Sequence, residues 1–259
     1  MLKIRSKQVK VFEQAAIRNF EDRMIEHLKK FTPKHFKILT EDDVRGIVRN
    51  GWGRAKGHRF TSERSVRFYV ELMLMLGSSF DTDPQMPWAA EILNDETLSD
   101  EVERIDRLYD KAWEYVDHAI LDYQDAQGNV DPTRFIEQIR QIRKERDDEL
   151  QPSAVPEFYR RMIARLNQTF PKKCEYVGEL PVRRLIQRAI ESAKSYDITS
   201  ERGVVLFAAM MFVLGSGFDQ DPQLPWASAI LQDQSVTDQS KKVDQLLAAA
   251  IDCLKQWWA

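Results

Sequence analysis

The sequence predicts an all-α protein, and three observations carry that expectation. Gly and Pro number only 10 each in 259 residues while 31% are charged, a composition short of breakers and rich in helix formers. Apolar residues recur at steps of three and four along several long segments, the spacing of one helix face. No segment alternates apolar and polar residues between hairpin turns, as a half-buried strand would.

The elements follow in order. Residues 8–31 read as a first helix that stops near Thr32-Pro33, because the residue before proline is pushed out of the helical region. Glu41 to Lys56 read as a second, weakened by Gly46, Gly51 and Gly53. Ser62 is placed to cap a third that runs to Leu76. Its stretch Leu72 to Leu76 is apolar all round, which predicts a buried central helix. Gly77 stands where a left-handed C-terminal cap belongs. A short helix should run from Pro84 or Pro87 to Leu93. The next should run from about Ser99 to Ile120, with Val102, Ile105, Tyr109, Ala112, Trp113 and Val116 on its inward face.

The chain then repeats itself. Phe80-Asp81-Thr82-Asp83-Pro84-Gln85-Met86-Pro87-Trp88 recurs as Phe218-Asp219-Gln220-Asp221-Pro222-Gln223-Leu224-Pro225-Trp226, at an offset of 138. Between Thr61 and Asp95, 20 of 35 positions are identical at that offset. An ungapped match with so long a period points to tandem duplication of a small helical unit. The polar turn cluster Asp125 to Pro132 marks the junction. Asp131 and Pro132 would cap a helix over Thr133 to Leu150 that presents Phe135, Ile136, Ile139 and Ile142, and Gln151 to Pro156 would break it. The predicted halves are 1–128 and 129–259.

Several function classes are disfavoured. The longest apolar run, Val204 to Leu214, spans 11 residues, whereas a membrane helix needs roughly 20. The net charge of −3 argues against a general nucleic-acid binder. Cys174 and Cys253 are too few for a disulfide framework and lack metal-site spacing, which fits a reducing compartment. Cys253 falls at helical spacing from Leu246 and Ala250, as a small core residue would. His27, His35, His58 and His118 match no zinc pattern. There is no phosphate loop, nucleophile elbow or dinucleotide fingerprint.

Two candidate sites remain. The duplicated acids Asp81, Asp83, Asp219 and Asp221 could help hold a hard cation in a metal-dependent enzyme. The structural alternative is a helix corner in which Asp before Pro accepts backbone N–H bonds as an N-cap. In that corner Phe80 and Trp88, and likewise Trp226, pack on the central helix. The second candidate is electrostatic. Residues 68–128 hold 15 acidic against 3 basic side chains, whereas 1–67 hold 17 basic against 8 acidic. Glu103, Asp106, Asp110, Glu114 and Asp117 follow one another at steps of three or four, so they share a helix surface on which they repel. Their counterparts Lys241, Asp244, Ala248, Asp252 and Lys255 do not keep the stripe. It reads either as a solvated face partly balanced by Arg104, Arg107 and Lys111, or as a docking surface for a basic partner.

At Leu-Gly-Ser-x-Phe-Asp-x-Asp-Pro-Gln-x-Pro-Trp-Ala, present at 76–89 and 214–227, the sequence resembles helical proteins encoded beside toxic effectors of bacterial type VI secretion. The resemblance covers most of the chain through its repeats. It implies a cytoplasmic immunity protein, mainly α-helical, that binds and neutralises a cognate toxin, and it carries over no binding residues. From the residues themselves no cofactor, no metal and no direct nucleic-acid or membrane partner is expected, and a homodimer is left open. Effector chaperones and adaptors of such systems are the alternative. The expectation drawn from the stripe is a partner site at Glu103, Asp106, Asp110, Glu114 and Asp117. A nuclease-type toxin must present cations to phosphates, and an acidic stripe can compete for them.

Overall fold

The computed structural model describes residues 6–120, 148–151 and 154–258, with single positions 122, 124, 133, 136, 137 and 140 between them. The fold is all-α. The first half holds α1 (Ser6–Phe31), α2 (His35–Ile38), α3 (Glu41–Gly57), α4 (Glu63–Leu76), a 3-10 turn (Phe80–Thr82), α5 (Pro87–Asn94) and α6 (Glu101–Ile120). The second holds α7 (Val155–Thr169), α8 (Pro171–Val177), α9 (Glu179–Ser195), α10 (Glu201–Leu214), α11 (Pro225–Gln232) and α12 (Gln239–Trp258). Among the described residues there is no strand, and Glu149 forms an isolated antiparallel bridge with Ser200. The junction at 125–132, with its Asp131-Pro132 cap, lies outside the described residues, as does most of 133–147.

Side-chain caps start α3, α4 and α10. Thr40 accepts from Asp43 N at 3.2 Å while the Asp43 carboxylate accepts from Thr40 N at 2.9 Å, a complete capping box for α3. Ser62 accepts from Ser65 N, and Ser200 accepts from Gly203 N, each at 3.2 Å. The first residues of α6 and α12 reach back to these starts. The Glu101 carboxylate accepts from Thr61 N and Oγ1 and from Ser62 N at 2.8–2.9 Å. The Gln239 amide oxygen accepts from Thr199 N and Ser200 N at 3.0 and 3.1 Å. Burial acts to raise the Glu101 pKa, but hydrogen bonds from Ser62, Ser65 and the two backbone N–H groups outweigh it and hold the carboxyl at about 2. An unfolded Glu titrates near 4.3. The stabilisation from ionised Glu101 is therefore complete above about pH 4.3 and is lost as pH falls toward 2. Glu101→Gln, which imitates Gln239, should remove that acid-sensitive part. In denaturation series from pH 6 to 2, the gap between wild type and variant should close with falling pH, and a constant gap would contradict the assignment.

Helices at the offset of 138 have equal bounds: α3 with α9, α4 with α10, α5 with α11 and α6 with α12. Their buried side chains join one continuous core. The halves meet where α4 and α10 end. Gly77 and Gly215 have φ of 96° and 98° with ψ near 149°. This is not the left-handed helical cap that the sequence suggested, but an extended positive-φ turn open essentially to glycine. The reason is a close approach. A Cβ on Gly77 would lie 3.2 Å from Leu214 O, and one on Gly215 would lie 3.4 Å from Leu76 O.

Two expectations about faces are corrected. In α10 nearly every residue from Arg202 to Phe212 is buried, but α4 is not enclosed all round, because Met75 is 44% exposed. On α6 the inward face is Arg104, Ile105, Leu108, Ala112 and Tyr115, whereas Val102, Tyr109 and Trp113 are about 45% exposed. Periodicity shows that a helix has an apolar sector, but not how much of that sector neighbouring helices cover.

Candidate functional site

The duplicated corner is built from two carboxylates with different duties. Asp81 is held inside its own half: it accepts from Tyr69 OH at 2.7 Å, pairs with Arg54 and lies 3.1 Å from His58 Nε2. Burial acts to raise its pKa, but His58, Tyr69 and Arg54 together bring it below the usual carboxylate value. Asp219, its counterpart, accepts from Ser192 Oγ at 2.7 Å and Tyr196 OH at 3.2 Å. The second acid crosses between halves. Asp83 accepts from Gln85 N at 2.8 Å and from Ser216 N at 2.7 Å. Reciprocally, Asp221 accepts from Gln223 N at 2.9 Å, Ser78 N at 2.8 Å and Ser78 Oγ at 2.6 Å. The glutamines cross as well, Gln85 Nε2 donating to Met211 O at 3.0 Å and Gln223 Nε2 to Met73 O at 2.8 Å.

The corner therefore satisfies backbone donors, but not as the N-cap that the sequence suggested. α5 and α11 begin later, at Pro87 and Pro225, without a side-chain cap. The acids instead close the exposed backbone of the glycine turns opposite them. These four carboxylates already face protein donors, and the described residues contain no group of three or more His, Cys, Asp or Glu arranged to hold a metal ion.

One basic side chain attends each crossing, and the two differ. Lys173 is buried, donates to Phe212 O and lies 4.3 Å from the Phe212 ring centroid. Burial lowers its pKa to about 8, against the attraction of Asp83. Burial in turn raises the pKa of Asp83, against hydrogen bonds from Ser216 and Gln85 and the pull of Lys173. The position matching Lys173 is His35, near Gln223 and Asp221, where burial lowers the pKa. Both cysteines are buried, and burial pushes the Cys174 thiol up to about 11. The Cys174 thiol therefore stays protonated near neutrality. Trp88 and Trp226, expected to be buried, are half-buried at the core edge, while Phe80 and Phe218 are enclosed.

The acidic stripe lies as expected on the outer surface of α6, and all five members are exposed. Two are neutralised locally, Glu103 by Arg107 and Glu114 by Lys111, each at 2.7 Å. Arg104 points inward, donating to His58 O at 2.8 Å, so it does not balance the stripe. Asp106, Asp110 and Asp117 have no ion pair among the described residues.

The residues that sequence reasoning missed lie beside that stripe. Helix residues turn about 100° each, so Val102, Tyr109 and Trp113 occupy the sector next to the acids. With Leu28 and Phe31 of α1 and Phe68 and Met75 of α4, the two aromatics line an open groove of about 430 Å³. Phe68, Tyr109 and Trp113 form a chain of rings with centroid spacings of 5.4 and 6.0 Å. Phe31 at the rim is 68% exposed. Four exposed apolar side chains, Phe31, Met75, Tyr109 and Trp113, thus line one groove rather than being scattered singly over the surface. In the sequence Tyr109 and Trp113 stood only as part of the wide apolar sector of α6, which by itself does not say which of its residues neighbouring helices cover.

No helix among the described residues is long and apolar enough to cross a membrane. No family model matches the chain, nor does any curated protein or solved structure.

Proposed function

We propose that this chain is an immunity protein that binds and neutralises a secreted toxin in the cytoplasm, of the kind encoded beside type VI effectors, with a nuclease-type toxin as its partner. The observation that carries the reading is the outer face of α6. Three carboxylates without ion pairs among the described residues, Asp106, Asp110 and Asp117, run beside exposed Val102, Tyr109 and Trp113. Neither feature stabilises the isolated chain: like charges at these spacings cost a few tenths of a kcal/mol each, and exposed aromatics forgo burial energy. Together they form an acidic rim and an apolar centre, the composition of a recognition surface. Against a nuclease, the acids would occupy the cationic groups that otherwise meet phosphate.

The test is to express the toxin domain from the neighbouring reading frame with and without this protein. Restored growth and a purified complex are expected. Undiminished toxicity, with no complex, would overturn the reading. The variant combining Asp106→Lys, Asp110→Lys and Asp117→Lys should keep its circular dichroism spectrum, because exposed substitutions change stability by about 0.5 kcal/mol or less. Its association with the toxin should slow about tenfold or more at low salt. The groove favours one alternative, an effector chaperone that shelters an apolar segment. A chaperone would raise the yield of soluble effector without inhibiting toxin that is already folded.

A further inference from the structure

The two halves offer the same face in different states. In the second half the positions matching Phe68, Tyr109 and Trp113 are Leu206, Leu247 and Ile251, and these are 0%, 0% and 7% exposed. That face is largely closed within the chain, and the positions matching Phe31 and Met75, Thr169 and Val213, are half-buried. In the first half the face is open, with Tyr109, Trp113, Met75 and Phe31 at 44–68% exposure. The fold thus contains a worked example of this face covered and a second copy left uncovered.

The charges at its borders differ too. The α6 border carries Asp106, Asp110 and Asp117, whereas the opposite border, at the end of α1, carries Lys29 and Lys30. Lys29 is already paired with Glu26 and Glu41, at 3.1 and 3.0 Å. Glu71, the acid within the groove, is engaged by His27 at 2.7 Å and Arg67 at 3.1 Å. Among the described residues the charge without an ion pair is therefore negative on the α6 side and positive, at Lys30, on the α1 side.

We propose that the groove of α1, α4 and α6 receives one amphipathic helix of the partner protein. Its apolar residues lie on Phe68, Tyr109 and Trp113, and a Lys/Arg edge lies along Asp106, Asp110 and Asp117. A helix presents apolar anchors at i, i+3, i+4 and i+7, which suits a groove floored by a row of rings. The single acidic border sets its orientation, because the basic edge cannot face Lys29 and Lys30 without repulsion. This inference rests on the partner-binding reading above and specifies what part of the partner is recognised.

The experiment uses the full chain and two fluorescently labelled synthetic helical peptides. The peptides share their apolar anchors, but one has a Lys/Arg edge and the other a Glu edge. By fluorescence anisotropy at low salt the basic-edged peptide should bind at least about tenfold more tightly, and that advantage should shrink as salt screens the charges. Trp113→Ala should weaken binding about tenfold or more. So should Met75→Glu, at a side chain already 44% exposed, where the fold is not at stake. The triple Asp→Lys variant should invert the preference between peptides. Absent binding, equal affinity for both peptides, or indifference to Met75→Glu would overturn the proposal. A dimer in sedimentation that Met75→Glu dissolves would also overturn it, by making a second copy the occupant. The two readings fail separately. Toxin binding that survives the groove variants but not the triple variant would end this inference and leave the immunity reading standing. Peptide binding without protection from the toxin would do the reverse.

Discussion

Replacing Asp83 by alanine is expected to destabilise the protein by about 3–5 kcal/mol, the cost of breaking a buried charged network by removing one partner. Three groups lose their acceptor or counter-charge together. Ser216 N and Gln85 N, which donate to this carboxylate at 2.7 and 2.8 Å, are left buried without it, each costing about 1–3 kcal/mol before relaxation. Lys173, itself buried, loses the attraction that opposes its desolvation. Asp221→Ala strands Ser78 N, Ser78 Oγ and Gln223 N in the same way, but its basic neighbour is His35, which can be neutral where Lys173 stays charged. The loss at Asp221 should therefore be smaller than at Asp83. Urea unfolding of both variants checks the order. Because these bonds join the two halves, the Asp83 variant should also show a broadened or two-step transition. Wild-type stability in both variants would mean that the crossing bonds do not hold the halves together.

Phe218→Ala and Phe80→Ala are expected to cost about 3–5 kcal/mol each, the range for an enclosed phenylalanine. Phe80 is 0% exposed with its ring 5.1 Å from that of Tyr69, and Phe218 is 1% exposed with its ring 5.3 Å from that of Phe207. Trp88→Ala and Trp226→Ala should cost less, because those side chains are only half-buried. Thermal midpoints of the four variants decide the matter. If the tryptophan variants lose more than the phenylalanine variants, the anchor of the corner has been misassigned.

The comparison of phenylalanine with tryptophan shows where sequence reasoning stopped. Size and position in the motif marked Trp88 and Trp226 as anchors. The 3-10 turn at 80–82 instead sends Phe80 into the core, while Pro87 starts α5 with Trp88 at the edge. The acids divide in the same way. That Asp83 and Asp221 accept backbone N–H groups was legible in the Asp-Pro pair. The identity of those donors was not, because Ser216 and Ser78 lie 133 and 143 residues away. Local sequence reports a carboxylate's propensity to cap, and only chain topology supplies distant backbone for it to cap. On α6 the stripe was readable as a periodic pattern. The groove beside it was not, because it arises from the meeting of three helices distant in sequence.

By itself the sequence determined the all-α class, the Ser62 cap, the elements repeated at an offset of 138 and the outward acidic stripe. All of these follow from interactions within a turn or two of the chain, or from identity between segments. Tertiary structure alone decided which acid serves its own half and which serves the other. It also decided that two glycines meet back to back, and that one face is open in the first half and covered in the second. Those outcomes depend on which surfaces pack together, and burial is a property of neighbours rather than of the residue that is buried.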